Sequence, residues 1–148
     1  MGVSLANRLI ELNQHRTPAA HLDISIINGG PLPENFTGVL RKNPPDLVLM
    51  IDAAQMGLAP GEIRWISVDD LAGFSASTHG MPLSLLSKFL IQEYNCQIGL
   101  IGIQPTPGAV ELTIENKLTT AVGRAGQEAI EFLSTLLWEP DQHDTRPQ

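Results

Sequence analysis

Two side chains in this sequence have the chemistry of divalent-metal ligands. One is Asp52, in Asp46-Leu47-Val48-Leu49-Met50-Ile51-Asp52-Ala53-Ala54, where five consecutive apolar residues end in a carboxylate. The other is His79, in the small-residue stretch Ser75-Ala76-Ser77-Thr78-His79-Gly80, shortly before Pro82. Carboxylate plus imidazole suits zinc or nickel. Spacing alone leaves two readings open for each. Asp52 is a ligand, or it caps the next turn through its own side chain; His79 is a ligand, or a solvated loop residue. Nucleophilic alternatives have less support. There is no Gly-x-Ser-x-Gly elbow. Cys96 stands on the entry side of a strand pattern, where a thiol packs as a small apolar group.

The elements that must hold these groups follow from hydrophobic periodicity. Leu47 to Ile51, preceded by Pro44-Pro45, reads as a strand buried on both faces, the kind found in parallel sheets covered by helices. Ligands of such sheets sit outside the carboxyl ends of the strands. Ile24-Ser25-Ile26-Ile27 reads as a second buried strand and Ile98-Gly99-Leu100-Ile101-Gly102-Ile103 as a third. The second leads into Asn28-Gly29-Gly30-Pro31-Leu32-Pro33-Glu34-Asn35, where Gly29 and Gly30 permit unusual backbone angles and close approach. It lacks the GxGxxG dinucleotide pattern. The third leads into Gln104-Pro105. Ile63 to Ile66 is a further strand candidate, and Val110 to Thr113 a last extended piece.

Helical stripes recur at Leu5, Leu9 and Leu12 and, after Asn35, at Phe36, Val39 and Leu40. A third stripe, opened by Pro82, comprises Leu83, Leu86, Phe89 and Leu90. A fourth, over residues 115–137, comprises Leu118, Val122, Ala125, Ala129, Phe132, Leu133 and Leu136. The expected fold is therefore α/β. It is a single three-layer domain over residues 1–138, with a mostly parallel sheet and helices on both faces. A disordered polar tail is expected over residues 139–148. The doubly wound reading brings Asn28-Gly29-Gly30, Asp52 and Gln104 to one edge of the sheet, with His79 in a loop before a helix.

Composition narrows the function. The 148 residues carry a net charge of −7, which argues against a nucleic-acid or anionic-membrane surface. With 43% hydrophobic residues and a mean hydropathy of +0.03, the chain reads as globular. No apolar run approaches the roughly 20 residues of a membrane span, and no signal-peptide pattern opens the sequence. A single cysteine excludes an internal disulfide and fits a reduced, cytoplasmic setting.

Several motifs occur in a fixed order. They are Gly29-Gly30 with Pro33-Glu34-Asn35; Ile51-Asp52-Ala53; Met56-Gly57 with Pro60-Gly61-Glu62-Ile63; Ser77-Thr78-His79 with Pro82-Leu83; and Gly102-Ile103-Gln104-Pro105. The ordered set, spanning about Met1 to Leu137, resembles the [NiFe]-hydrogenase maturation endopeptidases, nearest to their hydrogenase 3 (HycI-like) branch. The resemblance implies a five-stranded sheet with helices on both faces. It also implies a monomeric cytoplasmic enzyme that removes the C-terminal extension of a hydrogenase large-subunit precursor once nickel is inserted. The family's metal site uses two carboxylates and one histidine. By resemblance Asp52 is the second carboxylate and His79 the histidine, with Gly29, Gly30, Glu34 and Gln104 near the substrate. Nickel arrives with the precursor, and zinc or another divalent ion can substitute. The resemblance leaves the catalytic class open.

Two departures accompany it. The family opens with a strand ending in Gly-Asp-Asp-Gly, whose acid is the first ligand; Gly2-Val3-Ser4-Leu5-Ala6 looks like the sequence that follows that motif. The acid often found before the Gly-Gly pair is Asn28 here. The first strand and first ligand are thus expected to be missing from these 148 residues, through a displaced start or through loss of metal binding. Poor nickel or zinc binding and no precursor processing are expected of the chain as written. The alternative function is a precursor-binding module without catalysis. A third reading, a small-molecule-binding α/β domain, does not account for the ordered motifs.

Overall fold

A computed structural model of the chain describes residues 2–19, 21–71, 75–76, 81–107 and 120–139. Helix α1 (Gly2–His15) is followed by a 3-10 turn (Pro33–Phe36) and helix α2 (Thr37–Lys42). Strand β1 (Leu47–Gln55) and strand β2 (Ile63–Ser67) come next, then the two-residue strand β3 (Ser75–Ala76). Helix α3 (Leu83–Tyr94), strand β4 (Gln97–Ile103) and helix α4 (Thr120–Leu137) complete the order.

The strands form one sheet in the order β2-β4-β1-β3. β1 and β4 run parallel, in register from Leu47 opposite Gln97 to Ala53 opposite Ile103. β2 is antiparallel to β4, and β3 to the end of β1. The fold is α/β as expected, but the sheet is mixed rather than mostly parallel. The connection over residues 56–62 is too short for a crossover helix, so β2 returns antiparallel.

Period-two alternation divides the strand side chains between two cores. On one face Ile98, Leu100, Ala54 and Ile66 pack against Leu83, Leu86 and Leu90 of α3. On the other, Ile101 and Ile103 pack against Leu5 and Leu9 of α1 and Ala125, Ala129 and Leu133 of α4. This yields the three expected layers. The helices end by familiar means: Pro82 immediately precedes α3, and Asn95, left-handed at φ 51, closes it with its N–H bonded to the Ile91 carbonyl.

The most deeply buried strand is β4, not β1. Residues Ile98 to Ile103 are all buried, whereas β1 is mostly half-buried and Leu47 is 55% exposed. β4 has β1 along its whole length and β2 on the other side from Gly99 to Ile103. β1 has β4 on one side; on the other, among the described residues, it pairs only at Ala54 and Gln55 with β3. The strand expected at Ile24 to Ile27 is not formed: residues 22–29 carry no strand pairing. Ile24 and Ile26 are partly buried against the cluster of Leu9, Ile101, Leu133 and Trp138. Their apolar character is used for packing, without a ladder. The helical stripes are also narrower than the pattern suggests. Phe89, Phe132 and Leu136 are exposed, because the sheet surface accommodates only the central residues of each stripe. Val110 to Thr113, Leu118 and, apart from Glu139, the tail of residues 139–148 lie outside the described residues.

Candidate functional site

Asp52 lies within β1 rather than beyond it, because the strand runs on to Gln55. It stands opposite Gly102 of β4. By the alternation of the strand it shares the face of Val48, Met50 and Ala54, which belong to the α3 core. The residue is half-buried, and its Oδ1 accepts a hydrogen bond from the Ala53 N–H at 2.8 Å. That bond is the local backbone contact an Asp side chain makes readily, here inside a strand rather than in a turn. His79 lies outside the described residues, whose next stretch begins at Met81.

Glu34 stands in the 3-10 turn, where its own carbonyl accepts the Thr37 hydroxyl at 3.0 Å. Its Oε1 accepts a hydrogen bond from the Met81 N–H at 3.4 Å, and its Oε2 is buried with no partner among the described residues. The sequence leaves Glu34 free to face water; the fold turns it inward onto the residue that precedes Pro82 and α3.

Gly29 and Gly30 form a tight turn. Asn28 shapes it: its Oδ1 accepts the Gly30 N–H at 3.2 Å, and its Nδ2 donates to Asn7 Oδ1 of α1 at 2.9 Å. Gly30 is left-handed at φ 56. A Cβ on Gly29 would stand 3.0 Å from the Pro33 Cβ, so the close approach served by this glycine is within the chain itself.

Gln104 is buried, and its side chain is fully engaged. Oε1 accepts N–H bonds from Met56 at 2.8 Å and Leu58 at 3.2 Å. Nε2 donates to Gln55 Oε1 and to the Pro105 carbonyl, each at 3.1 Å. Its main chain is bonded to Gly61 and Glu62. Gln104 therefore positions the loop that follows Asp52 and β1. Gln55 and Leu58 were not among the residues that the sequence singled out, and Met56 entered only through the Met56-Gly57 motif. The local signal for this cluster is a polar side chain at the end of each of two adjacent apolar strands.

Among the described residues, no three His, Cys, Asp or Glu side chains gather into a group able to hold a metal. Within that set, two side-chain networks fix main chain: Gln104 with the Gln55–Leu58 loop, and Glu34 with Met81, ahead of α3. Cys96 is buried, its thiol 3.6 Å from the Leu90 carbonyl, and desolvation pushes its pKa up. A protonated, enclosed thiol is a poor nucleophile.

The sequence matches the HycI hydrogenase maturation protease family over residues 5–135. The hydrogenase 3 maturation protease of Escherichia coli (strain K12) is 43% identical over 81 residues, covering 54% of this chain and 51% of its own. The chain spans about half the length of the curated relatives it matches. Its fold is similar to the crystal structure of a [NiFe] hydrogenase maturation protease HycI from Thermococcus kodakarensis KOD1. That likeness has a TM-score of 0.71 and 27% identity, and covers 91% of this chain and 80% of the other. It is also similar to the solution structure of an endopeptidase HycI from Escherichia coli. There the TM-score is 0.66 with 30% identity, over 89% of this chain and 78% of the other.

Proposed function

Because the chain belongs to the HycI hydrogenase maturation protease family, we propose that it is an endopeptidase of [NiFe]-hydrogenase maturation, removing the C-terminal extension of a large-subunit precursor after nickel insertion. The match over residues 5–135 carries this reading. In it, Asp52 and His79 contact the nickel that the precursor brings, alongside the precursor's own cysteine ligands. The metal thereby reports that insertion is complete, and zinc or another divalent ion takes the same ligands in its absence. Gly29, Gly30, Glu34 and Gln104 shape the surroundings, the last two by fixing main chain rather than by touching substrate. The protein works as a monomer in the cytoplasm; its single cysteine supports a reducing compartment. Among the described residues no helix is long and apolar enough to cross a membrane.

The experiment incubates nickel-loaded precursor with the 148-residue chain and with a form extended upstream by a strand ending in Gly-Asp-Asp-Gly. Mass spectrometry follows the released peptide. Cleavage by the extended form, abolished by Asp52→Asn, supports the reading. Stable binding of the precursor by both forms without any cleavage overturns it in favour of a docking module.

A further inference from the structure

We propose that Met56 belongs to the Asp52 site: its side chain, folded back over Gly102, forms a wall that excludes water from the carboxylate on the β4 side. The proposal rests on the reading that Asp52 contacts the precursor's metal. It starts from the bare place in the sheet beside Asp52. Gly102 is the β4 residue directly opposite Asp52, and both lie on the face that packs toward α3. Neighbouring strands run about 4.8 Å apart, so whatever covers Gly102 stands beside the Asp52 side chain. The three atoms nearest to a Cβ built on Gly102 are Ile66 Cδ1 at 2.8 Å, Ala54 Cβ at 3.1 Å and Met56 Sδ at 3.2 Å. This cover is hydrocarbon and thioether, with no strong hydrogen-bonding group among the three atoms.

Ala54 and Ile66 belong to strands; Met56 lies in the loop after β1, which ends at Gln55. The Met56 N–H donates to Gln104 Oε1 at 2.8 Å, and the chain turns at Gly57, left-handed at φ 70. So held, the half-buried Met56 side chain lies against the cluster that contains Ala54, Ile66 and Leu100. Elsewhere on this face β4 covers itself, through Ile98 and Leu100. Opposite the carboxylate, the loop contributes to the cover. Packing alone does not favour that choice, because an apolar cover beside a half-buried carboxylate opposes hydration of the charge. Metal binding does favour it. An apolar shell controls water access and dielectric at a metal site, and charge attraction strengthens as water leaves. Methionine, unbranched and adaptable, suits a wall that must yield to an arriving ligand.

The test separates water exclusion from packing. Zinc is titrated into the parent chain and into Met56→Leu, Met56→Ala and Met56→Gln, at a temperature where the amide spectrum shows each to be folded. The reporter is the Ala53 amide signal in NMR, whose N–H donates to Asp52 Oδ1 and so reads even weak occupancy there. Met56→Leu keeps the apolar volume and is expected to retain parental affinity. Met56→Ala opens the wall and Met56→Gln makes it polar; each is expected to weaken zinc binding by roughly 10-fold or more. A role in packing alone would lower Tm and leave the affinity of the folded protein where it is. Parental affinity in either Met56→Ala or Met56→Gln therefore overturns the proposal. Equal loss in Met56→Leu also overturns it, because the requirement would then be for the sulfur. Asp52→Asn is the control. If it leaves zinc binding unchanged, the reading of Asp52 as a metal contact fails; if it weakens binding and the Met56 variants do not, the wall alone fails.

Discussion

The Gln104 side-chain oxygen lies 2.8 Å from the Met56 amide nitrogen, joining residues that 48 positions of sequence separate. The same oxygen takes the Leu58 N–H, while the amide nitrogen of Gln104 donates to Gln55 and Pro105. One buried side chain thus serves the loop that follows β1, beginning four residues beyond Asp52. Replacing it by leucine leaves two loop N–H groups without their acceptor. Gln104→Leu is expected to destabilise by about 2–4 kcal/mol, from roughly 1–3 kcal/mol for each buried group left unpaired. Gln55→Ala, which removes one bond at an exposed residue, should cost about 1 kcal/mol or less. Urea unfolding of the two variants checks the order.

Gly61 carries a second constraint on that loop. Its φ is 88, and a Cβ placed there would meet the Ala121 carbonyl oxygen of α4 at 2.7 Å. Any side chain must bear left-handed strain and push against helix backbone that has no rotamer to change. Gly61→Ala is expected to lower stability by roughly 1–3 kcal/mol. Gly30→Ala, at φ 56 with open space around it, should cost about 1 kcal/mol. Calorimetric melting of both variants distinguishes crowding from backbone strain.

The two parallel strands should respond unequally to core mutations. Leu100 of β4 is 0% exposed, while Val48 of β1 is only half-buried. Leu100→Ala is expected to cost about 3–5 kcal/mol, at the upper end for buried leucines, and Val48→Ala about 1–2 kcal/mol given its partial exposure. Leu100→Asp should abolish soluble folding, since an unpaired charge cannot be hydrated there. Val48→Asp should be milder. Equal effects at both positions would show that β1 is as enclosed as β4.

Desolvation by burial pushes the Cys96 thiol above its ordinary pKa, and a backbone hydrogen bond offsets this only in part. In the unfolded chain the thiol ionises near about 8.5. Its folded pKa is higher, so the stability it contributes is complete below that pH and is lost as pH rises through the folded value. Unfolding free energy should therefore fall on the alkaline side, and Cys96→Ala should flatten that slope. The native thiol should resist alkylation at pH 8, with reaction appearing on addition of urea.

Much of this fold is determined by the sequence because the signals are local. Leu5 and Leu9 mark the buried face of α1, and Leu83, Leu86 and Leu90 that of α3, by spacing alone. The run from Ile98 to Ile103 is a strand by its length and composition, and Asp52 terminates an apolar run in any reading. What spacing does not carry is which surface covers which. Leu47 to Ile51 and Ile98 to Ile103 look alike as sequences. Only the tertiary structure places a strand on each side of the second, and so makes β4 the buried one. Ile24 and Ile26 have a strand's composition, but a ladder needs a neighbour, and they are buried against α1 and α4 side chains instead. The site divides in the same way. The residue types at Asp52, Glu34 and Gln104 are plain in the sequence. That Glu34 turns inward onto Met81, and that Gln104 holds its own loop, depends on contacts 47 to 49 positions apart, which no local pattern encodes.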